Sequence, residues 1–374
     1  MPDTITITAD FVPDRSQLLA RDLSYHLGDR ERYDVHAIEP ATSSHPAPDD
    51  QFVSFRLGAR RFFCGEDFRQ HCKISADGVT EHGDALSVMQ NRAVSMINRD
   101  IADMDPDVAY AFDLSDGCRH DYAAHFETAK PIPVFQHSRL KGVAAMIHPL
   151  PGFQTFPSRY FRDPGDTTPF LEKQSKIFWR GKLTGFIETS RGYARPRGVA
   201  TDRKRSEDEK IALFRTLTRF RICTDFGNDD RLDAGLVPTK NKGDFSVGIP
   251  FLEPLYKPHA EIEDHLHYRY LLALDGNDYP SSLYWMLNTN SVVMRQGSPW
   301  ETFADCYFEP WVHYVPLAHD GSDLMDKFEW CEAHTEECQR ISANARRAWN
   351  VLFNIEYQIE RRRNALRTYN SWFK

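Results

Sequence analysis

The chain has 374 residues, of which 41% are hydrophobic and 13% aromatic, which suits two domains of ordinary size and leaves little room for long disordered tracts. Its formal charge of -8 excludes a general nucleic-acid binder, which needs excess Lys and Arg to replace counterions along the phosphate backbone. No stretch approaches the roughly 18 apolar residues of a membrane span. The opening MPDTITITADFVPDRSQ carries no secretory pattern, and the seven cysteines fall into no CxxC or zinc-ligand spacing. A cytoplasmic protein with reduced thiols is predicted.

In chain order, TITITADF alternates with the period of a strand, and SQLLARDLSYHL repeats apolar residues at helical spacing, a βα opening. ALSVMQNRAVSMINRDIADM reads as a helix leading into the buried strand DVAYAFDL, and PIPVFQHS reads as another strand. Strands alternating with helices imply a mostly parallel sheet. Residues 149–169, rich in Pro, Gly, Ser, Thr and aromatics, break this rhythm and are predicted to connect two domains. KIFWRG then reads as a strand, followed by an Arg-rich loop and SEDEKIALFRTLTRF, where Ser206 and Glu209 have the spacing of a capping box. HYRYLLALDG, SVVMRQ and WVHYVPL read as strands and PSSLYWMLNT as a short helix. From about Ser322 onward the pattern is helical, with no Gly or Pro after Gly321.

The most informative stretch is YRYLLALDGNDYPSSLYWMLNTNSVVMRQ. A strand ending in a Gly-containing loop before a helix that begins with two serines can seat a diphosphate, because helix N-terminal amides attract anions. Asp275, Gly276, Asn277, Asp278, Ser281 and Ser282 would lie at the carboxyl end of the strand, where open α/β sheets bind ligands. The same residues also suit an ordinary turn with a Ser cap. Arg180 ends an apolar strand, and an Arg buried there needs an anionic partner. The loop RGYARPRGVATDRKR, with Arg191, Arg195 and Arg197, is either solvated surface or a clamp on an anionic ligand. HLHYR places His265 and His267 on one face of a strand, but no third ligand follows, so metal binding is not predicted there, nor at Asp229 and Asp230.

Together with FWRGKLTG at 178–185 and EPWVHYVPL at 309–317, this stretch resembles glycosyltransferase family 90, which includes bacterial lipopolysaccharide-modifying transferases and animal protein O-glucosyltransferases. WRG followed by TG, LDAG at 232–235, and LDGND before a WML helix lean toward the bacterial branch. The resemblance is dense over about residues 176–345 and thin before that. It implies an α/β protein of GT-B-like fold with two Rossmann-like domains: an acceptor domain at 1–165, a nucleotide-sugar domain at 166–345, and a C-terminal helix at 346–374 packing back on the first. It also implies a UDP-sugar donor, inversion at the anomeric carbon, no cofactor and no metal.

Carried onto this chain, the resemblance assigns Ser281 and Ser282 to the diphosphate. Arg180, Gly181, Lys182, Thr184, Asp275, Gly276, Asn277 and Tyr284 are placed around the donor. Animal members carry arginines where this chain has Leu183 and near Tyr284, so the charge on the departing UDP must be met by Arg180, Lys182 or the 191–197 cluster. An inverting transfer needs one carboxylate to take the acceptor proton. The family's base ends an N-domain strand, and Asp113 matches, with Asp116 as competitor. His148, Pro149 and Phe153 are expected on the acceptor side, and His313 and Tyr314 beneath the nucleotide site. The expected acceptor is a saccharide of lipopolysaccharide or capsule. A protein hydroxyl, or nucleotide-sugar or glycan binding without turnover, stands as alternative. The basic, aromatic tail IEYQIERRRNALRTYNSWFK offers peripheral contact with the inner face of an anionic membrane.

Overall fold

The computed structural model describes residues 15–49, 51–75, 77–81, 88–152, 154–158, 160–190, 192–238 and 249–374. The strand expected over TITITADF, and with it Phe153 and Arg191, lies outside the described residues. Residues 15–161, 299–307 and 351–374 form one compact unit, and residues 162–298 and 308–350 a second.

The first unit begins with α1 (Arg15–Leu27), α2 (Ile38–Ser44) and a hairpin of β1 (Phe52–Arg56) and β2 (Arg61–Cys64). After α3 (Glu66–His71) come a second hairpin, β3 (Cys72–Ser75) and β4 (Gly78–Glu81), then α4 (Val88–Asp100) and β5 (Ala109–Asp113). α5 (Tyr122–His125), β6 (Phe135–Gln136), β7 (Ser138–Leu140) and β8 (Met146–Ile147) complete this stretch. The sheet runs β2-β1-β5-β6-β8. β5, β6 and β8 are parallel, as the alternating pattern predicts. β1 is antiparallel to both neighbours, so the sheet is mixed rather than the parallel Rossmann-like one expected. The cause is local: four residues join β1 to β2, and a link that short allows only an antiparallel return. Stacked rings fill the core behind these strands, with Phe112 5.9 Å from Phe55 and 5.2 Å from Phe135.

The second unit carries β9 (Gln174–Gly181), β10 (Ile187–Thr189), β11 (Gly192–Ala194), α6 (Pro196–Ala200), α7 (Glu207–Phe214), α8 (Thr218–Asp225) and β12 (Leu232–Leu236). α9 (Ile262–His265), β13 (Tyr268–Ala273), α10 (Leu283–Met286) and β14 (Val292–Gln296) follow. β15 (Trp300–Thr302) pairs with β7 in the first unit, and the chain then returns for β16 (Val315–Leu317). α11 (Leu324–Ala333) and α12 (Thr335–Leu352) follow, and then α13 (Ile355–Ser371). α13 belongs to the first unit, where Ala365, Leu366 and Tyr369 join the core and the Tyr369 hydroxyl donates to the Ala109 carbonyl at 2.8 Å.

Ser206 and Glu209 form the predicted capping box at the start of α7. WVHYVPL contributes a strand only at its last three residues, because 311–314 turn and carry Trp311 at φ 65°. His265 closes α9 and His267 lies before β13, so the two do not share a strand face.

The second unit's sheet is parallel throughout, in the order β12-β9-β13-β14-β16. By order of appearance this is 2-1-3-4-5, a doubly wound arrangement whose strand order reverses between β9 and β13. A buried ion pair locks its entry: Lys173 Nζ donates to Asp166 at 2.7 Å and to the Leu266 carbonyl at 2.6 Å, and Asp166 also accepts from Asn290 N at 2.7 Å. Burial holds the Lys173 amine below its ordinary value, against the pull of Asp166. Asp166→Ala is therefore expected to cost about 3–5 kcal/mol of stability in urea melts, since it strands a buried ammonium. A loss under about 1 kcal/mol would mean that Lys173 reaches water or another acceptor.

Candidate active site

In the second unit the two loops at the switch point, 182–185 after β9 and 274–278 after β13, meet directly. Asn277 Oδ1 accepts from Gly185 N at 3.1 Å, and Gly276 N donates to the Asp278 carbonyl at 2.9 Å. Asp275 N donates to Gln296 Oε1 at 2.9 Å, while Gln296 Nε2 donates to Thr218 Oγ1 at 2.8 Å and the His319 carbonyl at 2.6 Å. Gln296 ends β14, so three strand ends are fastened together.

The cation at this junction is Arg219 of α8, which sequence reasoning did not single out. Its guanidinium donates to the Lys182 carbonyl, Thr184 Oγ1 and the Leu274 carbonyl, each at 2.8 Å, and lies 5.6 Å from the Trp179 ring. Burial lowers its pKa to about 10, opposed by the charges of Asp275 and Asp278. A side chain at Gly276 would meet Thr184 Oγ1 at 2.6 Å and Arg219 at 2.9 Å, so the loop closes this tightly only with glycine. Arg295, buried on β14, stacks 5.4 Å from the Tyr314 ring. Asp275 lies beside both arginines. Burial lifts its carboxyl to about 6, with Ser298, Arg295 and Arg219 opposing and Asp278 adding. Its Oδ2 is buried without a hydrogen-bond partner. A carboxylate and two arginines thus converge at the switch point of the sheet, where open α/β folds bind ligands.

Several expected residues are placed differently. Arg180 does have its anionic partner, but it is Asp233 of LDAG, at 2.8 Å, and Lys257 binds the same carboxylate at 2.7 Å. Arg180 also donates to the Trp179 and Asp233 carbonyls and lies over Phe178, so its donors serve the β9–β12 pair. Gly181 accepts from Val237 N, and Lys182 is exposed. Leu183 belongs to the hydrophobic core, so an arginine there would not fit the same position. Tyr284 is fully buried with its ring 5.6 Å from Tyr279, inside the fold rather than on a ligand-facing surface. Ser281 and Ser282 are partly exposed ahead of α10, a single turn whose Ser282 makes no side-chain cap. His313 is buried and accepts from Glu309 N at 2.9 Å. Arg195 and Arg197 are exposed, with Arg195 3.8 Å from the Phe186 ring.

In the first unit, Asp113 ends β5 and is 0% exposed. Its carboxylate accepts from Ser115 N at 3.0 Å, the Tyr122 hydroxyl at 2.8 Å and Cys118 Sγ at 3.2 Å. Burial, then the Asp113 charge, keeps both the Tyr122 and Cys118 protons in place. Asp113 is thus buried, with both of its oxygens already accepting from protein donors. Asp116, three residues on, keeps 27% of its side chain exposed and is oriented by Arg92 Nη1 at 2.6 Å. Asp113, Cys118 and His120 bring metal-capable atoms within 4.8 Å of one another, as do Asp22, His26 and Cys306. In both groups protein donors already fill the carboxylates: Asp22 accepts from the Tyr307 and Tyr357 hydroxyls and from Cys306 Sγ. His148, expected on the acceptor side, is buried and bonded to Asp100 at 2.7 Å in a network with Arg99 and Arg362, a structural role. Pro149 accepts from Arg99 there.

The family model for Glycosyl transferase family 90 matches residues 79–357. The chain belongs to glycosyltransferase family 90. Its relatives include Protein O-glucosyltransferase 2 of Danio rerio, 29% identical over 179 residues, which are 48% of this chain and 29% of that protein. O-glucosyltransferase LpsA of Dichelobacter nodosus is 23% identical over 188 residues, 50% of this chain and 46% of that protein. The chain thus spans less than half the length of either. A glycosyltransferase from Rickettsia africae ESF-5 aligns over 78% of this chain and 84% of its own, at 11% identity and a TM-score of 0.35. In this family-90 chain no helix among the described residues is long and apolar enough to cross a membrane.

Proposed function

We propose that this family-90 protein transfers a glycosyl group from a UDP-sugar to a hydroxyl of a saccharide acceptor, with inversion and without a metal, on a GT-B-like scaffold. The observation that carries the proposal is the switch point of the parallel sheet, where Arg219, Arg295 and Asp275 converge beside the 275–278 loop. The two arginines, with the backbone amides of Ser281 and Ser282 beyond Pro280, would stabilise the charge that develops on UDP. Asp116 is the base. Attack by the acceptor oxygen forms the new glycosidic bond as the bond to the UDP oxygen breaks, and the acceptor proton passes to the carboxylate.

The favoured acceptor is a saccharide of lipopolysaccharide or capsule, in keeping with the bacterial motifs and the match to a bacterial O-glucosyltransferase. A protein hydroxyl is the second reading, favoured by the match to a protein O-glucosyltransferase over about the same share of the chain. The first experiment is a thermal-shift screen against UDP, GDP, CMP and UDP-sugars, with and without EDTA. At about 100 times its Kd a ligand specific for the folded state adds about 2.7 kcal/mol, a readily seen shift. A shift with UDP or one UDP-sugar, insensitive to EDTA, is expected. The absence of a shift with every nucleotide would overturn the proposed donor.

A further inference from the structure

The first unit holds a cavity of about 320 Å³ lined by His45, Asp49, Gly65, Glu66 and Arg69, large enough for a small ligand. The sheet fixes where it opens. Phe52 at the start of β1 pairs with Asp113 at the end of β5, and β2 runs back along β1 with Cys64 opposite Ser54. The residues just before β1 and just after β2 therefore emerge at the same sheet edge as the Asp113–Asp116 loop. This is the carboxyl edge of the parallel strands β5 and β6, where α/β sheets hold ligands.

Asp49 joins the cavity wall to that loop. Its Oδ2 accepts from Ser115 Oγ at 2.5 Å and from His120 Nε2 at 3.1 Å, and its Oδ1 accepts from Gln51 N at 2.8 Å. Gly65 takes φ +94°, and a side chain there would meet the Phe52 carbonyl at 3.0 Å, so the chain presses against β1 and α3 projects Glu66 and Arg69 outward. The lining thus sets the exposed Glu66 carboxylate and Arg69 guanidinium beside apolar Pro46 and Ala47, with Asp49 holding the wall to the Asp113–Asp116 loop. That mixture suits a neutral polyhydroxylated ligand better than an anion, which Asp49 and Glu66 would repel.

We infer that this cavity is a saccharide subsite, holding a sugar unit of the acceptor next to the loop that carries Asp116. The inference rests on the proposed transferase function and adds a place and a chemistry for the acceptor. The test is saturation-transfer NMR of the whole chain with glucose, galactose, mannose and N-acetylglucosamine, on the wild type and on Glu66→Ala/Arg69→Ala. Both residues are exposed, so the double variant is expected to stay folded, which its melting curve checks. Transfer to at least one sugar is expected in the wild type, falling about tenfold or more in the variant, while the thermal shift with UDP stays unchanged. Absence of transfer to all four sugars, or equal transfer in wild type and variant, overturns the subsite. Because UDP binding is read separately, failure of the donor assignment shows as a missing UDP shift and not as a missing sugar signal.

Discussion

Asp116→Asn is expected to slow glycosyl transfer about 10²–10⁴-fold, the range a positioned general base contributes, while leaving the protein folded. Asp113→Asn is expected to act mainly on stability. The two carboxylates lie three residues apart, and motif position alone favours Asp113. Their surroundings reverse the order. A base must present a free lone pair to an incoming hydroxyl, and Asp113 is fully buried with its oxygens taken by Ser115 N, Tyr122 and Cys118. Replacing it with Asn sets an NH₂ group against hydroxyl and thiol donors, at a cost of about 1–3 kcal/mol. Asp116 is partly open and its Arg92 contact fixes its orientation. Asn keeps an oxygen that accepts from Arg92, whose side chain is only 10% exposed, so losing the charge costs about 1–2 kcal/mol. Initial rates of UDP release with acceptor present, paired with urea melts of both variants, separate these roles. An inactive Asp113→Asn with an unchanged melt, beside an active Asp116→Asn, would return the base to Asp113.

How much of this was legible in the sequence varied with the physics behind each feature. β9, β13 and β14 of the second unit were readable because strands buried on both faces carry short apolar runs, IFW, YLLA and VVM. β12 escaped because LDAGL mixes Asp and Gly into a strand, and β1 and β2 because the turn between them lacks an Asn-Gly or Asp-Gly signal. At the site, the two loops that meet through Asn277 and Gly185 were both visible as motifs. Burying an Arg without an anion is costly, and the partner this demands for Arg180 is Asp233 of LDAG. The same cost applies to Arg295 within its buried strand. Arg219 could not be found this way. It begins an ordinary amphipathic helix, and only the tertiary fold turns its guanidinium onto the carbonyls of two distant loops.

Asp275→Asn is expected to raise stability at neutral pH by roughly 3 kcal/mol and at the same time to weaken UDP-sugar turnover. Burial lifts the Asp275 carboxyl from its ordinary 3.8 to about 6. Between those values the folded protein binds more protons at this site than the unfolded chain does. Stability contributed by the protonated acid is therefore lost as pH rises through this window, and the native state at pH 7 carries the cost of a buried charge. Neutral Asn removes that cost, so variant and wild type should diverge above about pH 4 and run parallel above about pH 7. Structural carboxylates behave oppositely: Asp100, which burial would raise but His148 and Arg99 pull below its ordinary value, stabilises the fold above its titration range and loses that contribution in acid. Under the proposed function this cost is retained because Asp275, whose Oδ2 is buried without a hydrogen-bond partner, serves the donor site. Urea melts of both proteins across this pH range, with and without UDP, measure both parts. Parallel stability curves throughout would make Asp275 an ordinary loop residue. A stabilised variant with unimpaired turnover would leave the arginines as the donor contacts.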